Sequence, residues 1–203
     1  IPVGRGLGSS AALSIAIARA KGITKAKIRE IADKCEKFIH GNPSGIDVNQ
    51  VLSDTPLLFS KEHGAKKLPF SLDSYLLIID TGVVGITKHT LEHVKDNLKT
   101  YKPYIDELGN ITKKVIKPLK EKNIDLIGEY MYKAHSLLQK IGVSHEKNDE
   151  VVELCKNNNA KGAKLTGGGA GGCCICLCDT KENALKIQDE LKEKGYLSWM
   201  VTV

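Results

Sequence analysis

Two short runs in this chain carry groups that could do chemistry together. The first is Pro2-Val3-Gly4-Arg5-Gly6-Leu7-Gly8-Ser9-Ser10-Ala11-Ala12, a glycine-rich turn feeding a helix. Such a turn presents free backbone N–H groups and the positive end of a helix dipole to an anion. Ser9 and Ser10 add two hydroxyls there, able to meet a phosphate oxygen or a hard cation that prefers oxygen donors. The second run, His40-Gly41-Asn42-Pro43-Ser44-Gly45-Ile46-Asp47, offers a carboxylate that could take a proton from a hydroxyl. A phosphate cradle and a base one helix apart point to phosphoryl transfer onto a small alcohol.

Each run also has a purely structural reading. The glycine run lacks the lysine of GxxxxGK[ST] and the spacing of GxGxxG, so a tight turn capped by serine would account for it. Ser44-Gly45-Ile46-Asp47 fits a capping box, in which Asp47 only satisfies the Ser44 N–H. Glu36 is either a surface glutamate between Lys34 and Lys37 or a further oxygen ligand for a cation. The run Gly167-Gly168-Gly169-Ala170-Gly171-Gly172 is richer in glycine than a hairpin requires. It is either a mobile turn or a backbone that comes close to a ligand. His89-Thr90-Leu91-Glu92-His93 matches the short HxxEH pattern of some zinc proteases, but no third ligand follows it.

Helices and turns must place these groups. Helical periodicity from Ser9 through Ala20 is small or apolar on nearly every side, which predicts a buried helix closed by Gly22. A second helix starts after the N-cap Thr24; its Ile28, Ile31, Ala32, Cys35, Phe38 and Ile39 form one apolar stripe. Gly41 and Pro43 end it, and Ser44 is placed to cap a short third helix through Leu52. Short strands are expected at 57–59 and 66–69 around a turn at 61–64, and a continuous apolar strand at 75–80. Residues 87–142 read as helical, with breaks near Pro103, Gly109 and Asn123, and 145–158 as a further helix. Strands at 163–166 and 173–178, a helix at 181–194 and a strand at 196–203 complete the chain. This order predicts an α+β fold whose later part is a ferredoxin-like sheet backed by helices. The expected boundary separates residues 1–70 from 71–203.

Composition narrows the partners. The 203 residues are 41% hydrophobic and 27% charged, ordinary for a globular protein. The net charge of +6 suits an anionic ligand, but the lysines recur at helical intervals between acids, as on solvated faces, and do not make a nucleic-acid footprint. No stretch reaches the roughly 18 apolar residues of a membrane span, and no signal peptide is expected. Cys173, Cys174, Cys176 and Cys178 lie in one run, and strand alternation puts 174, 176 and 178 on the same face. Cys35 and Cys155 stand apart on apolar helix faces. Zinc sites favour CxxC turns in pairs. All six cysteines therefore read as free thiols in the core, which points to a reducing, intracellular compartment.

Taken together the runs resemble the GHMP kinases, a family of small-molecule kinases. Residues 2–12 look like that family's second, phosphate-binding motif. Lys164-Leu165-Thr166-Gly167-Gly168-Gly169-Ala170-Gly171-Gly172 looks like its third. The run from His40 to Asp47 is similar to the mevalonate kinases among them. The resemblance implies the C-terminal part of a ribosomal-S5-like domain followed by a ferredoxin-like domain. It implies ATP with Mg2+, mevalonate as the acceptor alcohol, a cytoplasmic location, no nucleic-acid or membrane partner, and is compatible with a homodimer. By the same resemblance Asp47 is the catalytic aspartate, and Ser10 and Glu36 are the Mg2+ ligands. Gly4, Gly6, Leu7, Gly8, Ser9, Ser10 and Ala11, with Gly168, Gly169 and Gly171, line the nucleotide. Ser44 and Thr87 supply hydroxyls facing the substrate. The family's first motif, a Pro-Gly-Lys run, has no counterpart here and is expected upstream of Ile1, together with strands on which the first helices pack. Two alternatives remain: a family member acting on another alcohol, and a catalytically incomplete ATP-binding fragment.

Overall fold

The computed structural model describes residues 1–41, 43–85 and 87–203, for 87–89 the backbone only. These divide into two compact units, Ile1–Val3 with Leu7–Phe70, and Gly4–Gly6 with Ser71–Val203.

The first unit holds helices α1 (Ser9–Ala20), α2 (Lys25–His40) and α3 (Ile46–Val51), then the hairpin of β1 (Leu57–Ser60) and β2 (Gly64–Lys67). Its core is built from Ala11, Ile15 and Ala18 of α1, Ile28 and Ala32 of α2, and Val48 of α3. Alanines at i and i+7, on either side of Ile15, let α1 lie close against its neighbours. The helix ends in a Schellman arrangement, with Ile23 N–H on the Ala18 carbonyl and Gly22 N–H on the Arg19 carbonyl.

Three expectations are corrected here. Helix α1 is not buried all round, because Leu13 and Ile17 stand 62% and 53% exposed, and the α2 stripe ends in open Phe38 and Ile39. Strand β2 starts at Gly64 rather than residue 66, because the register runs from Ser60↔Gly64 to Leu57↔Lys67 and the turn is tightened by His63 N–H on Ser60 Oγ. Ser44 is not the N-cap of α3. Gly45 takes that place in the left-handed region, and the Ser44 hydroxyl instead accepts from Ile46 N–H at 3.3 Å.

The second unit contains β3 (Tyr75–Asp80), α4 (Thr87–Asp96), α5 (Leu98–Lys114), α6 (Ile116–Glu121), α7 (Ile124–Lys140), α8 (Glu146–Asn157), β4 (Gly162–Leu165), β5 (Cys173–Cys178), α9 (Lys181–Glu193) and β6 (Leu197–Thr202). The four strands form an antiparallel sheet in the order β4-β5-β3-β6, the ferredoxin-like arrangement. One face of the sheet presents Leu77, Ile79, Ala163, Leu165, Cys174, Cys176 and Cys178 to a core shared with Val151 and Cys155 of α8 and Ile187 and Leu191 of α9. The strand alternation read from the cysteine run is therefore the one that builds this core, and all six cysteines are free thiols. The expected breaks at Pro103 and Gly109 do not occur, since α5 runs through both. The break falls at Asn97, whose side chain folds back on the His93 carbonyl. Pro103 sits early in α5, where its missing N–H leaves a single carbonyl without its helical donor.

Candidate active site

Helix α1 begins at Ser9 with Gly8 as its N-cap, at φ +64° and with no side chain to cap the helix. The N–H groups of the first turn, at Ser9, Ser10 and Ala11, therefore have no partner inside the helix and form an anion-seeking end. Ala11 is fully buried and fixes this end to the core.

Onto this end folds the first residue pair of α3. A Cβ added to Gly8 would lie 3.3 Å from Asp47 Cβ, Cγ and Oδ1. The two runs singled out in the sequence thus meet, with the Asp47 carboxyl packed on the backbone at the start of α1. Although Asp47 as a residue is solvent-accessible, this packing desolvates its carboxyl and raises its pKa. The negative charge of Glu36 adds to the rise, and His40 offsets part of it.

Burial excludes the surface reading of Glu36. It is 3% exposed, not a surface glutamate, and its Oε1 is buried without a hydrogen-bond partner. An orphaned carboxylate oxygen inside a protein is costly unless something positive reaches it. His40 Nε2 lies 3.7 Å from Glu36 Oε2 and 3.2 Å from Ser10 Oγ, linking these two groups. A buried, unpartnered carboxylate oxygen, on a residue connected through His40 to a hydroxyl, offers the kind of donor that Mg2+ takes, since that ion binds through one or two carboxylates and completes its shell with water and phosphate. Among the described residues no group of three or more His, Cys, Asp and Glu is arranged to hold a metal, as a closed protein cage would require.

The third motif lies in the second unit, and so do Gly4–Gly6. A Cβ on Gly167 would stand 2.9 Å from the Cα and carbonyl oxygen of Gly6, so the two glycine runs touch backbone to backbone. Cys173 N–H donates to the Arg5 carbonyl at 3.1 Å, and Arg5 Nε pairs with Asp80 Oδ2 at 2.9 Å. The Thr81 N–H and hydroxyl both reach the Gly172 carbonyl, at 3.1 and 2.6 Å. Much of the glycine density therefore answers to contact between chain segments. Gly169 and Gly171 are buried, and Gly168 is half-buried.

Asn148 holds this loop and was not singled out from the sequence. It is fully buried at the start of α8. Its Nδ2 donates to the Gly171 carbonyl and its Oδ1 accepts from Gly171 N–H, both at 3.1 Å, while His145 N–H reaches the same Oδ1 at 3.2 Å. The surrounding run Ser144-His145-Glu146-Lys147-Asn148-Asp149 is polar throughout, so nothing in the pattern marks Asn148 as interior. Ser44 is exposed and engaged with Ile46 N–H. The side chains of Thr87 and His89 lie outside the described residues. His93 contacts the Ile141 carbonyl and the Tyr101 hydroxyl, at 3.2 and 3.1 Å, rather than waiting as a metal ligand.

Residues 1–53 match the family described as "GHMP kinases N terminal domain", and residues 115–197 match "GHMP kinases C terminal". The mevalonate kinase of Staphylococcus aureus MRSA252, a solved structure, is 31% identical with a TM-score of 0.76, over 100% of this chain and 68% of that one. The chain belongs to the GHMP kinases. Leishmania major mevalonate kinase, solved in complex with R-mevalonate, superposes on this GHMP kinase with a TM-score of 0.86 at 25% identity, covering 96% of this chain and 65% of the other. Mevalonate kinase of Pyrococcus horikoshii is 32% identical over 197 residues, which is 90% of this chain and 58% of the relative. The chain thus spans somewhat over half the length of that relative. Both clusters described above, at Gly8–Asp47 and at Asn148–Gly171, contain residues inside the matched segments.

Proposed function

We propose that this GHMP kinase transfers the γ-phosphoryl group of ATP to the hydroxyl of mevalonate, using Mg2+. The observation that carries the reading is the packing of the Asp47 carboxyl on Gly8, at the N-terminus of α1. The identity with mevalonate kinases supports the choice of acceptor. In this reading the first-turn N–H groups of Ser9, Ser10 and Ala11 take up phosphate oxygens, with Gly4, Gly6 and Leu7 shaping the turn that leads to them. Gly168, Gly169 and Gly171 supply backbone on the nucleotide side. Ser10 and Glu36 hold Mg2+, which when bound supplies the positive charge that neutralises phosphoryl oxygens. Ser44 and Thr87 offer hydroxyls to the acceptor. Asp47 orients the attacking hydroxyl and takes its proton as the phosphorus–oxygen bond forms.

Release of ADP in the presence of Mg-ATP and mevalonate tests the reading. Turnover with mevalonate and not with other small alcohols supports it. Binding of Mg-ATP without turnover on mevalonate, but with turnover on a different alcohol, overturns the acceptor while keeping the family chemistry.

A further inference from the structure

His40 has no task in the chemistry above, yet it touches both side chains assigned to the cation. It lies in the last turn of α2, and its ring turns back over that helix. One atom, Nε2, stands 3.2 Å from Ser10 Oγ on α1 and 3.7 Å from Glu36 Oε2, one helical turn earlier. The two oxygens of Glu36 are thereby made unequal. Oε2 faces the imidazole, while Oε1 is buried and has no partner. The lysines that flank Glu36 in sequence do not serve it in this way: Lys34 is committed to Glu30 at 2.6 Å, and Lys37 is exposed.

We propose that His40 is a positioning residue. Its Nε2 hydrogen-bonds the Ser10 hydroxyl at 3.2 Å and stands 3.7 Å from Glu36 Oε2, an electrostatic contact rather than a hydrogen bond, so that Ser10 Oγ and Glu36 Oε1 are presented as a preorganised pair of oxygens to the divalent cation. Without the ring, the Ser10 hydroxyl is free to rotate among its staggered positions and the Glu36 carboxylate is free to turn about its last torsion. Both motions must then be arrested when the cation binds. Supporting partners of this kind typically govern metal affinity by about 10–100-fold. An imidazole makes both contacts without a fixed charge, whereas a lysine would set a permanent cation where Mg2+ has to sit.

The inference rests on the cation site proposed above, and one experiment separates the failure of each. Mn2+ is titrated into the protein with ADP present, and the free ion is read by electron paramagnetic resonance, so that no turnover is needed. Glu36→Gln is expected to weaken Mn2+ binding at least ~10-fold, and His40→Ala to weaken it by about 10-fold. His40→Gln is expected to restore most of the affinity, because an amide can donate to a carboxylate and accept from a hydroxyl. If Glu36→Gln weakens binding and His40→Ala does not, the positioning role is overturned and the cation site stands. If Glu36→Gln leaves binding unchanged, the cation site fails and the positioning role with it. The His40 side chain is 46% exposed, so folding is expected to survive its removal. Should His40→Ala melt early, the matched pair His40→Gln and His40→Leu decides the same question: retained binding in the first and loss in the second support the role, and equal binding overturns it.

Discussion

The Asp47 carboxyl is held against ionisation by burial and by the charge of Glu36, and both raise its pKa. A base must be ionised to work, so the acid limb of kcat/KM against pH should lie above the ordinary aspartate value of about 3.9. A cation on Glu36 removes the second cause, so the limb for kcat, read in the loaded enzyme, should lie below the limb for kcat/KM. Asp47→Asn should lower turnover by at least ~10²-fold. It should not lower stability near neutral pH. A carboxyl whose folded pKa is raised loses stability as pH rises past its unfolded value, and asparagine removes that loss. A melting curve and a turnover measurement on one preparation check both halves, and unchanged turnover with an intact fold would sink the base role. At this scale Asp47 and Ser10 stand in the runs that singled them out, whereas Glu36 lies outside every run and its sequence left it open between a surface residue and an oxygen ligand. His40 stood inside a run without a task, and Asn148 in no run at all, because hydrogen bonds to a loop 23 residues away leave no trace in local spacing.

The glycine loop before β5 depends on α8 for its shape, and Asn148 is the link. Asn148→Leu keeps the volume but leaves Gly171 N–H, the Gly171 carbonyl and His145 N–H without their partner. Each unsatisfied buried group costs about 1–3 kcal/mol, so urea unfolding should show a loss of at least ~2 kcal/mol. A loss under about 0.5 kcal/mol would mean the loop holds itself, as ordinary surface substitutions do. A second link, from α7 to β4, is His135. It is 4% exposed, its Nδ1 accepts from Leu165 N–H at 3.3 Å, and its Nε2 lies 3.1 Å from Asp149 Oδ1 without hydrogen-bond alignment. Burial lowers its pKa, and Asp149 offsets only part of that. The unfolded chain then binds the proton more readily than the folded one. The His135 contribution should therefore be lost as pH falls below the unfolded value of about 6.5. His135→Gln should flatten that part of the stability curve, as urea titrations at a series of pH values would read. Elements built from unbroken apolar runs between clear turn residues, such as α1, β3 and β5, were legible to the residue. Strand β2 and the break before α5 were not, since a turn's hydrogen bonds set one register and tertiary packing carried a helix through Pro103 and Gly109.

Across the whole molecule the two units differ in what their cores are made of. The second unit encloses Leu77, Ile79, Leu165, Ile187 and Leu191 with four thiols, all at 2% exposure or less. The first encloses six residues, three of them alanine, while Leu13, Ile17, Phe38 and Ile39 remain in contact with solvent. A cavity of about 480 Å³ opens on that apolar side, lined in part by Val3, Leu13, Ile17, Ile31 and Ile39. Apolar burial stabilises by roughly 25 cal/mol per Å², and an alanine buries little, so the first unit should open at lower free energy than the second. Amide hydrogens of α1 and α2 should exchange well ahead of those of β3 and β5 in the 203-residue chain. A hydrophobic dye should bind this chain in its folded state, and Leu13→Ser with Ile17→Ser should reduce that binding without lowering the melting temperature, because neither side chain is part of the buried core. What periodicity could not supply was which apolar positions would be covered, because a helix that is small and apolar all round carries no face. Amide exchange as slow in α1 as in β3 would show that its exposed leucine and isoleucine cost the first unit nothing, and that its six-residue core suffices.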